Sequence, residues 1–450
     1  MPSDGPPAGP PAGSSVAPAG GPGPAPSLAA ALRVWARIGL LSFGGPAGQI
    51  ALMHREIVER HRWLDEREFL SALNLCMLLP GPEATQLATY AGWRLHGVRG
   101  GLAAGLLFVL PGALAILVLA AVYLAWGDVP LIEALFFGIK AAVLVIVVEA
   151  LLRIGRRALL RPLHWAVAAI SFVGIFFFEV PYPLIVLAAG AIGYRSARLD
   201  AVVAAGGRTL PPAGTALGTA TLWATVWLLP LAGLWLVLGG DHVLVRLAGL
   251  FSVLAVVTFG GAYAVLAYLA QAAVDTFGWL SAGEMLDGLG LAETTPGPLI
   301  LVTEFVGFIA AARTTDGAAG WSFAAGLAGA LVTLWATFAP CFLWIFTAGP
   351  YVRRLAGAPR LEAALQAVTA AVVGVILNLS LWFALHVWLP GIEERHLGPL
   401  RWWHWPEGGP DLASLTLSAI AAFLLLRLGL GMAKVLVASA VLGVLWSMAG

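Results

Sequence analysis

"SALNLCMLLPGPEATQLATYAG", residues 71–92, is apolar enough for lipid but is interrupted by Pro80-Gly81-Pro82, with Glu83 directly behind. Proline removes an amide donor and drives the residue before it out of the helical region, so the tripeptide ends one half-helix and starts another. A break at membrane depth is tolerated only inside protein or beside a water-filled cavity, because hydrocarbon leaves freed backbone groups without partners. The stretch therefore reads as a broken, hairpin-like helix pair inside a membrane protein, and its break as a candidate site.

Composition agrees. Of 450 residues, 60% are hydrophobic and 11% charged, with a mean hydropathy of +0.89, far from a water-soluble domain. Apolar runs recur, among them 102–126 and 165–178, and a spanning helix needs about 20 such residues. The fold class expected is an all-α polytopic integral membrane protein, with the lipid bilayer as its surroundings. A net charge of +1 argues against a nucleic-acid partner. Lys140 and Lys434 are the only lysines, and neither belongs to a GxxxxGK[ST] loop, so work is powered by gradients or another subunit. Cys76 and Cys341 lack CxxC spacing and suggest neither a disulfide framework nor a metal site. His54 and His61 do not match a zinc spacing, and HExxH and GxSxG are absent. No cofactor, metal or enzymatic chemistry is expected.

Residues 1–27 are a Pro/Gly/Ala tail with no apolar core of a signal peptide, and are expected to be disordered. A polar, Gly/Pro-rich gap at 196–215 then divides the chain. The units expected are 28–200, a linker with a connecting helix over 201–240, and 241–450. The two halves are related. A shift of 216 residues lays Phe43-Gly44-Gly45 over Phe259-Gly260-Gly261, Glu68 over Glu284, and Pro80-Gly81-Pro82 over Pro296-Gly297-Pro298, with 14 identities in 41 ungapped pairs. A shift of 229 pairs Pro111 with Pro340 and Glu149 with Asn378.

Arginine gives direction, since cytoplasmic loops carry the Lys/Arg excess. The stretch 54–68, the cluster Arg153, Arg156, Arg157 and Arg161, and Arg195 with Arg198 read as inside, whereas the counterpart of 54–68 in the second half holds no Lys or Arg and reads as outside. Residues 390–410 look external. Two inverted-topology repeats with broken or re-entrant helix hairpins follow, a pattern typical of carriers that bind substrate between rocking halves. The N-terminal tail is placed in the cytoplasm.

The residues "FGGPAGQIALMHREIVERHRWLDEREFLSALNLCMLLPGPEATQLATYAGWRLHGVRGG" at 43–101 and "FVLPG" at 108–112 resemble the N-terminal half of the chromate ion transporter (CHR) family. Residues 258–280, with "PGPLI" at 296–300, resemble its C-terminal half. The resemblance covers about 30–449 as a long-chain, two-domain type. It implies a secondary transporter of the inner (plasma) membrane that exports chromate, a tetrahedral dianion, and confers chromate resistance. Sulfate or another oxyanion is the alternative substrate, and a membrane-embedded enzyme or scaffold the alternative class. A homodimer is the assembly considered. The lead-in Glu293-Thr294-Thr295 departs from the less acidic one expected of the family.

The expected substrate or translocation residues lie at the breaks: Gly44, Gly45, Pro46, Pro80, Gly81, Pro82, Gly260, Gly261, Thr294, Thr295, Pro296, Gly297 and Pro298. A half-helix start offers free N–H groups and a positive dipole end, suited to an anion, although the same breaks also serve plain kinking for packing. Gln86 is a neutral donor one turn on. Lys140, in the middle of a predicted span, and Asn378 complete the set, with an internal Lys140–Glu133 pair as the structural alternative. Glu83, Glu149 and Glu304 are the candidates for proton coupling, Glu83 also fitting an ordinary cap and Glu149 a pair with Arg153. Arg55 and Arg62 form a cytoplasmic anion funnel or a positive-inside anchor.

Overall fold

The computed structural model describes residues 26–127, 129–197, 213–259, 262–313, 320–352 and 359–449. In the first half, α1 (Leu28–Leu41), α2 (Gly45–His54), α3 (Glu66–Leu78), α4 (Glu83–Trp126), α5 (Pro130–Ala158), α6 (Pro162–Phe178) and α7 (Tyr182–Ser196) follow one another. After α8 (Ala213–Leu238) come α9 (Val243–Val257), α10 (Ala262–Gln271), α11 (Ala282–Thr294), α12 (Val302–Arg313), α13 (Phe323–Ala348), α14 (Pro359–Trp388), α15 (Leu412–Ala422) and α16 (Met432–Ala449). Six of these, α4, α5, α8, α13, α14 and α16, are long and apolar enough to cross a membrane. The chain is an all-α polytopic membrane protein.

Helix α4 is two helices. His96 and Gly97 leave helical geometry, and the chain reverses there, since Gly92 lies against Gly100 and Ala104, and Thr89 against Gly105. A straight helix would hold residues 89 and 105 about 24 Å apart. The arm 83–95 instead pairs with α3 in a hairpin whose open ends are tied by Glu68 and Arg94. Both arms are about 20 Å long, short of the hydrocarbon thickness of about 30 Å.

The second half repeats the construction. Helices α11 and α12 form a hairpin around Pro296-Gly297-Pro298, tied at its mouth by Glu284 and Arg313. Asp65 caps α3 through the Glu68 amide, and Ser281 caps α11 through the Glu284 amide in a full capping box. Gly307 lies against Gly329 and Thr333 as Gly92 does against Gly100 and Ala104. Single π-helical turns at Arg55–Arg60 and Ala272–Thr276 end α2 and α10 alike.

The arm 98–126 relates the two hairpins. It starts at the mouth of the first, passes Pro296 at Gly112, and reaches Asp287, near the mouth of the second, with Tyr123. Helix α14 is the most buried span. Gly374 lets it meet the Ala168 carbonyl of α6, and Gly193 lets α7 meet the Ala363 carbonyl, the close small-residue approach of helices that have no hydrophobic drive between them in lipid. Helix α8 packs one side, through Trp223 and Trp227, on α13 and leaves the other exposed, as a lipid-facing helix does.

One local departure from an all-helical chain lies in the stretch 390–410. Strands β1 (Glu393–Leu397) and β2 (Leu400–His404) form an antiparallel hairpin around the turn glycine Gly398. It is held by Arg401, only 1% exposed, which donates to the carbonyls of Phe176 (3.0 Å) and Ile175 (3.3 Å) at the end of α6. Trp403 stacks on Phe176 with centroids 4.2 Å apart. Aromatic and charge pairing outside the spans is what lets so short a hairpin persist.

Candidate functional site

The two Pro-Gly-Pro tips are built alike. Leu79 and Thr295 leave their helices in extended conformation, as residues before proline do. Gly81 (φ +112°) and Gly297 (φ +93°) occupy the region open to glycine. Each tip is then bonded to the break of the other half. The Gly81 amide donates to the Thr258 carbonyl (2.9 Å), and the Gly297 amide donates to the Ser42 carbonyl (2.8 Å). Ser42 and Thr258 end α1 and α9, and their hydroxyls donate back to Ile38 and Leu254 of their own helices. Gly112, after Pro111 in α4, adjoins Pro296, while Cys341, after Pro340 in α13, lies beside Gly81. Backbone groups freed by the breaks thus partner one another across the repeats, which answers the cost of breaking helices in lipid.

Neutral polar side chains surround this crossing. Gln86 donates to the Pro80 carbonyl and Gln49 to the Gly297 carbonyl, both at 2.6 Å. Gln49 is 1% exposed, and Thr85, Gln86 and Thr89 are fully buried, while Pro80 and Pro296 are half-buried. The Oε1 atoms of both glutamines and Thr85 Oγ1 have no hydrogen-bond partner. No side chain caps the helix starts at Pro82 or Pro298. The uncapped helix starts, the hydroxyl of Thr85 and the second Nε2–H of each glutamine, with no cation among these lining groups, can replace the hydration of an oxyanion without holding it permanently.

The predicted residues divide between this place and others. Pro80, Gly81, Pro82, Gln86, Pro296, Gly297 and Pro298 meet at the crossing, and Gly44, Gly45 and Pro46 open α2 next to Ser42. Gly260 and Gly261 lie outside the described residues. Glu83 occupies the first position of the half-helix 83–95. Thr294 and Thr295 turn their hydroxyls to the carbonyls of Leu291 and Ala292 in their own helix. Glu304, in the first turn of α12, is 1% exposed, and its Oε2 has no partner.

Lys140 and Asn378 are not at the crossing. Lys140 pairs with Asp287 of α11 at 3.3 Å, rather than with Glu133, because α11 packs along α5 at that level and presents a carboxylate deeper than Glu133, which lies in the first turn of α5. Asn378 lines a cavity of about 10 Å³ with Gln271, Asp275, Trp382 and Arg401, beneath the β-hairpin. Glu149 is paired with Arg153, Nε to Oε1 at 3.0 Å. Arg55 and Arg62 are exposed around the first π-helical turn.

Sequence reasoning missed Gln49 and Asp287. Gln49 stands one turn into α2 much as Gln86 stands one turn into its half-helix, and that parallel was a usable signal. Asp287 had none, since its partner lysine comes from a distant helix.

A family model described as "Chromate transporter" matches residues 29–194 and again 245–444. A chromate transport protein of Pseudomonas aeruginosa is 34% identical over 349 residues, 76% of this chain and 77% of its own. A probable chromate transport protein of Synechococcus elongatus is 28% identical over 76% of this chain and 80% of its own. An uncharacterized transporter of Bacillus subtilis, YwrA, is 30% identical over 34% of this chain yet 88% of its own. No solved structure matches.

Proposed function

Because the chain belongs to the chromate transporter family, we propose that this transporter exports chromate across the cytoplasmic membrane, with the crossed Pro-Gly-Pro tips as its substrate site. The observation that carries the reading is the reciprocal pair of bonds, Gly81 to Thr258 and Gly297 to Ser42. Each half supplies one tip and one break, so a rocking motion of the halves remakes the site rather than destroying it. The two hairpins are assigned opposite directions through the membrane, a reading supported by their mouths adjoining opposite ends of the arm 98–126. The basic stretch 54–62, with Arg94 and Arg99, then faces the cytoplasm together with the N-terminal tail and gathers anions there through Arg55 and Arg62.

The driving force suits export. With a negative cell interior, each charge moved across 100 mV is worth about 2.3 kcal/mol, so a dianion gains roughly twice that on leaving. The test is chromate accumulation in cells with and without the protein, with sulfate as competitor and an uncoupler as a second arm. Lower accumulation with the protein, restored by the uncoupler, is expected. Unchanged accumulation would overturn export, and full competition by sulfate would reassign the substrate.

A further inference from the structure

A second set of polar groups runs along the contact of α5 and α11, from the second mouth up to the tip, and in one repeat alone. At the level nearest the mouth of the second hairpin, Tyr123 donates to Asp287 Oδ2 (2.9 Å) and Lys140 Nζ meets the same oxygen (3.3 Å). Asp287 Oδ1 is buried without a partner. Two turns further, next to the tip, Glu293 accepts from Tyr263 of α10 at 2.6 Å. The groups facing it from α5 are Arg153 and Glu149, themselves paired at the far end of that helix. Beyond Asp287, towards the mouth, stand Glu284 and Arg313.

In the first hairpin, Ser71 and Met77 occupy the positions of Asp287 and Glu293, and Met77 is exposed where Glu293 is buried. Burying carboxylates in a bilayer is costly, and ionisable groups kept there usually serve transport. Between the two acids the α5 face is apolar: Gly290 packs on Ile139 and Val143, across a helical rise of about 9 Å.

Resting on the transport reading above, we infer that the α5–α11 seam carries the protons coupled to substrate movement. Asp287 takes a proton at the second mouth, through its free Oδ1, and Glu293 releases it towards the Glu149–Arg153 end. The exchange is acid–base only: the O–H bond formed at Asp287 is broken to water admitted into the seam, that water protonates Glu293, and Glu293 loses its proton in turn, one O–H bond broken for each one formed. The dry step at Gly290 is what prevents a leak; a proton passes only when α11 parts from α5 during the transport cycle and admits water there.

The test uses the full chain in phosphatidylethanolamine–phosphatidylglycerol vesicles, loaded with a pH dye, comparing wild type with Asp287→Asn and Glu293→Gln. Proton movement evoked by chromate should fall about tenfold or more in both variants, while chromate flux driven by a potassium–valinomycin potential stays within about twofold of wild type. Wild-type proton movement in the variants would overturn the inference. So would parallel loss of proton movement and flux in variants that elute as folded protein. If wild type carries no chromate, the export reading fails first, and infrared difference spectra across a pH titration then test the seam alone. A titrating carboxyl band removed by Glu293→Gln or Asp287→Asn supports it, and a band unchanged by both overturns it.

Discussion

Gly81 and Thr258 belong to different repeats, yet the amide of the first donates to the carbonyl of the second at 2.9 Å, and Gly297 reproduces the bond on Ser42 at 2.8 Å. The breaks are thereby coupled. Neither tip can move without disturbing the opposite half, and a Cβ at either glycine tests that coupling.

Gly81→Ala and Gly297→Ala should both depress transport, since a side chain in left-handed backbone costs about 1–2 kcal/mol. Their neighbours differ. A Cβ on Gly81 would lie 3.0 Å from Gln86 Nε2, the end of a flexible side chain, whereas one on Gly297 would lie 3.3 Å from the Gly112 Cα, which is backbone. Gly297→Ala is therefore expected to be the more damaging of the two in chromate flux from vesicles. Equal, wild-type flux in both would remove the tips from the transport cycle.

Gln49 and Gln86 each donate one Nε2–H to a tip carbonyl and keep a second N–H that an oxyanion can accept. Replacing either by Leu removes a donor from the crossing, and a hydrogen bond to a charged partner is worth about 1.5–3 kcal/mol. The apparent KM for chromate should rise by about tenfold or more, with yield of folded protein little changed. A fall in folded protein with KM unaltered would make these residues structural.

Much of this arrangement is legible in the residues themselves, and the part that is not has a physical reason. Proline and glycine act on their own backbone, so the tips at 80–82 and 296–298 and the pairing of the halves follow from local rules. Their number in the chain also fixes the helical hairpins around them. What pairs with a buried charge is decided by helix packing, and no local rule links Lys140 to Asp287 or takes Asn378 away from the crossing. The β-hairpin belongs to the same class: Arg401 finds its partners at the end of α6, far off in sequence.

Glu284 links pH to stability. Burial opposes its ionisation, but Arg313 and the Ser281 amide outweigh that and hold its carboxyl below the usual value of 4.5. An acid with a lowered folded-state pKa contributes stability above its unfolded value, and that contribution is lost as pH falls through the folded value. Glu284→Gln should therefore lower the melting temperature at neutral pH, through a loss of about 1 kcal/mol. The difference from wild type should shrink below pH 4.5. A difference that is constant from neutral to acid pH would assign the effect to packing.

Arg401 secures the β-hairpin to the membrane-embedded helices. It donates to two carbonyls at the C-terminal end of α6, where the helix dipole favours a cation, and its Nη1 lies 3.5 Å from both Glu179 and Glu394. Arg401→Met keeps the apolar contact with Trp403 but leaves the carbonyls of Phe176 and Ile175 without their donor, and an unpaired buried acceptor costs about 1–3 kcal/mol. Arg401→Lys should fall between, because an ammonium cannot reproduce the forked geometry that reaches carbonyls and carboxylates together. The exposed Arg395 in β1 supplies the readout. Trypsin cleavage there should be fastest in Arg401→Met, slower in Arg401→Lys and slowest in wild type, and equal rates in all three would mean that strand pairing and the Trp403–Phe176 stack hold the hairpin without the arginine.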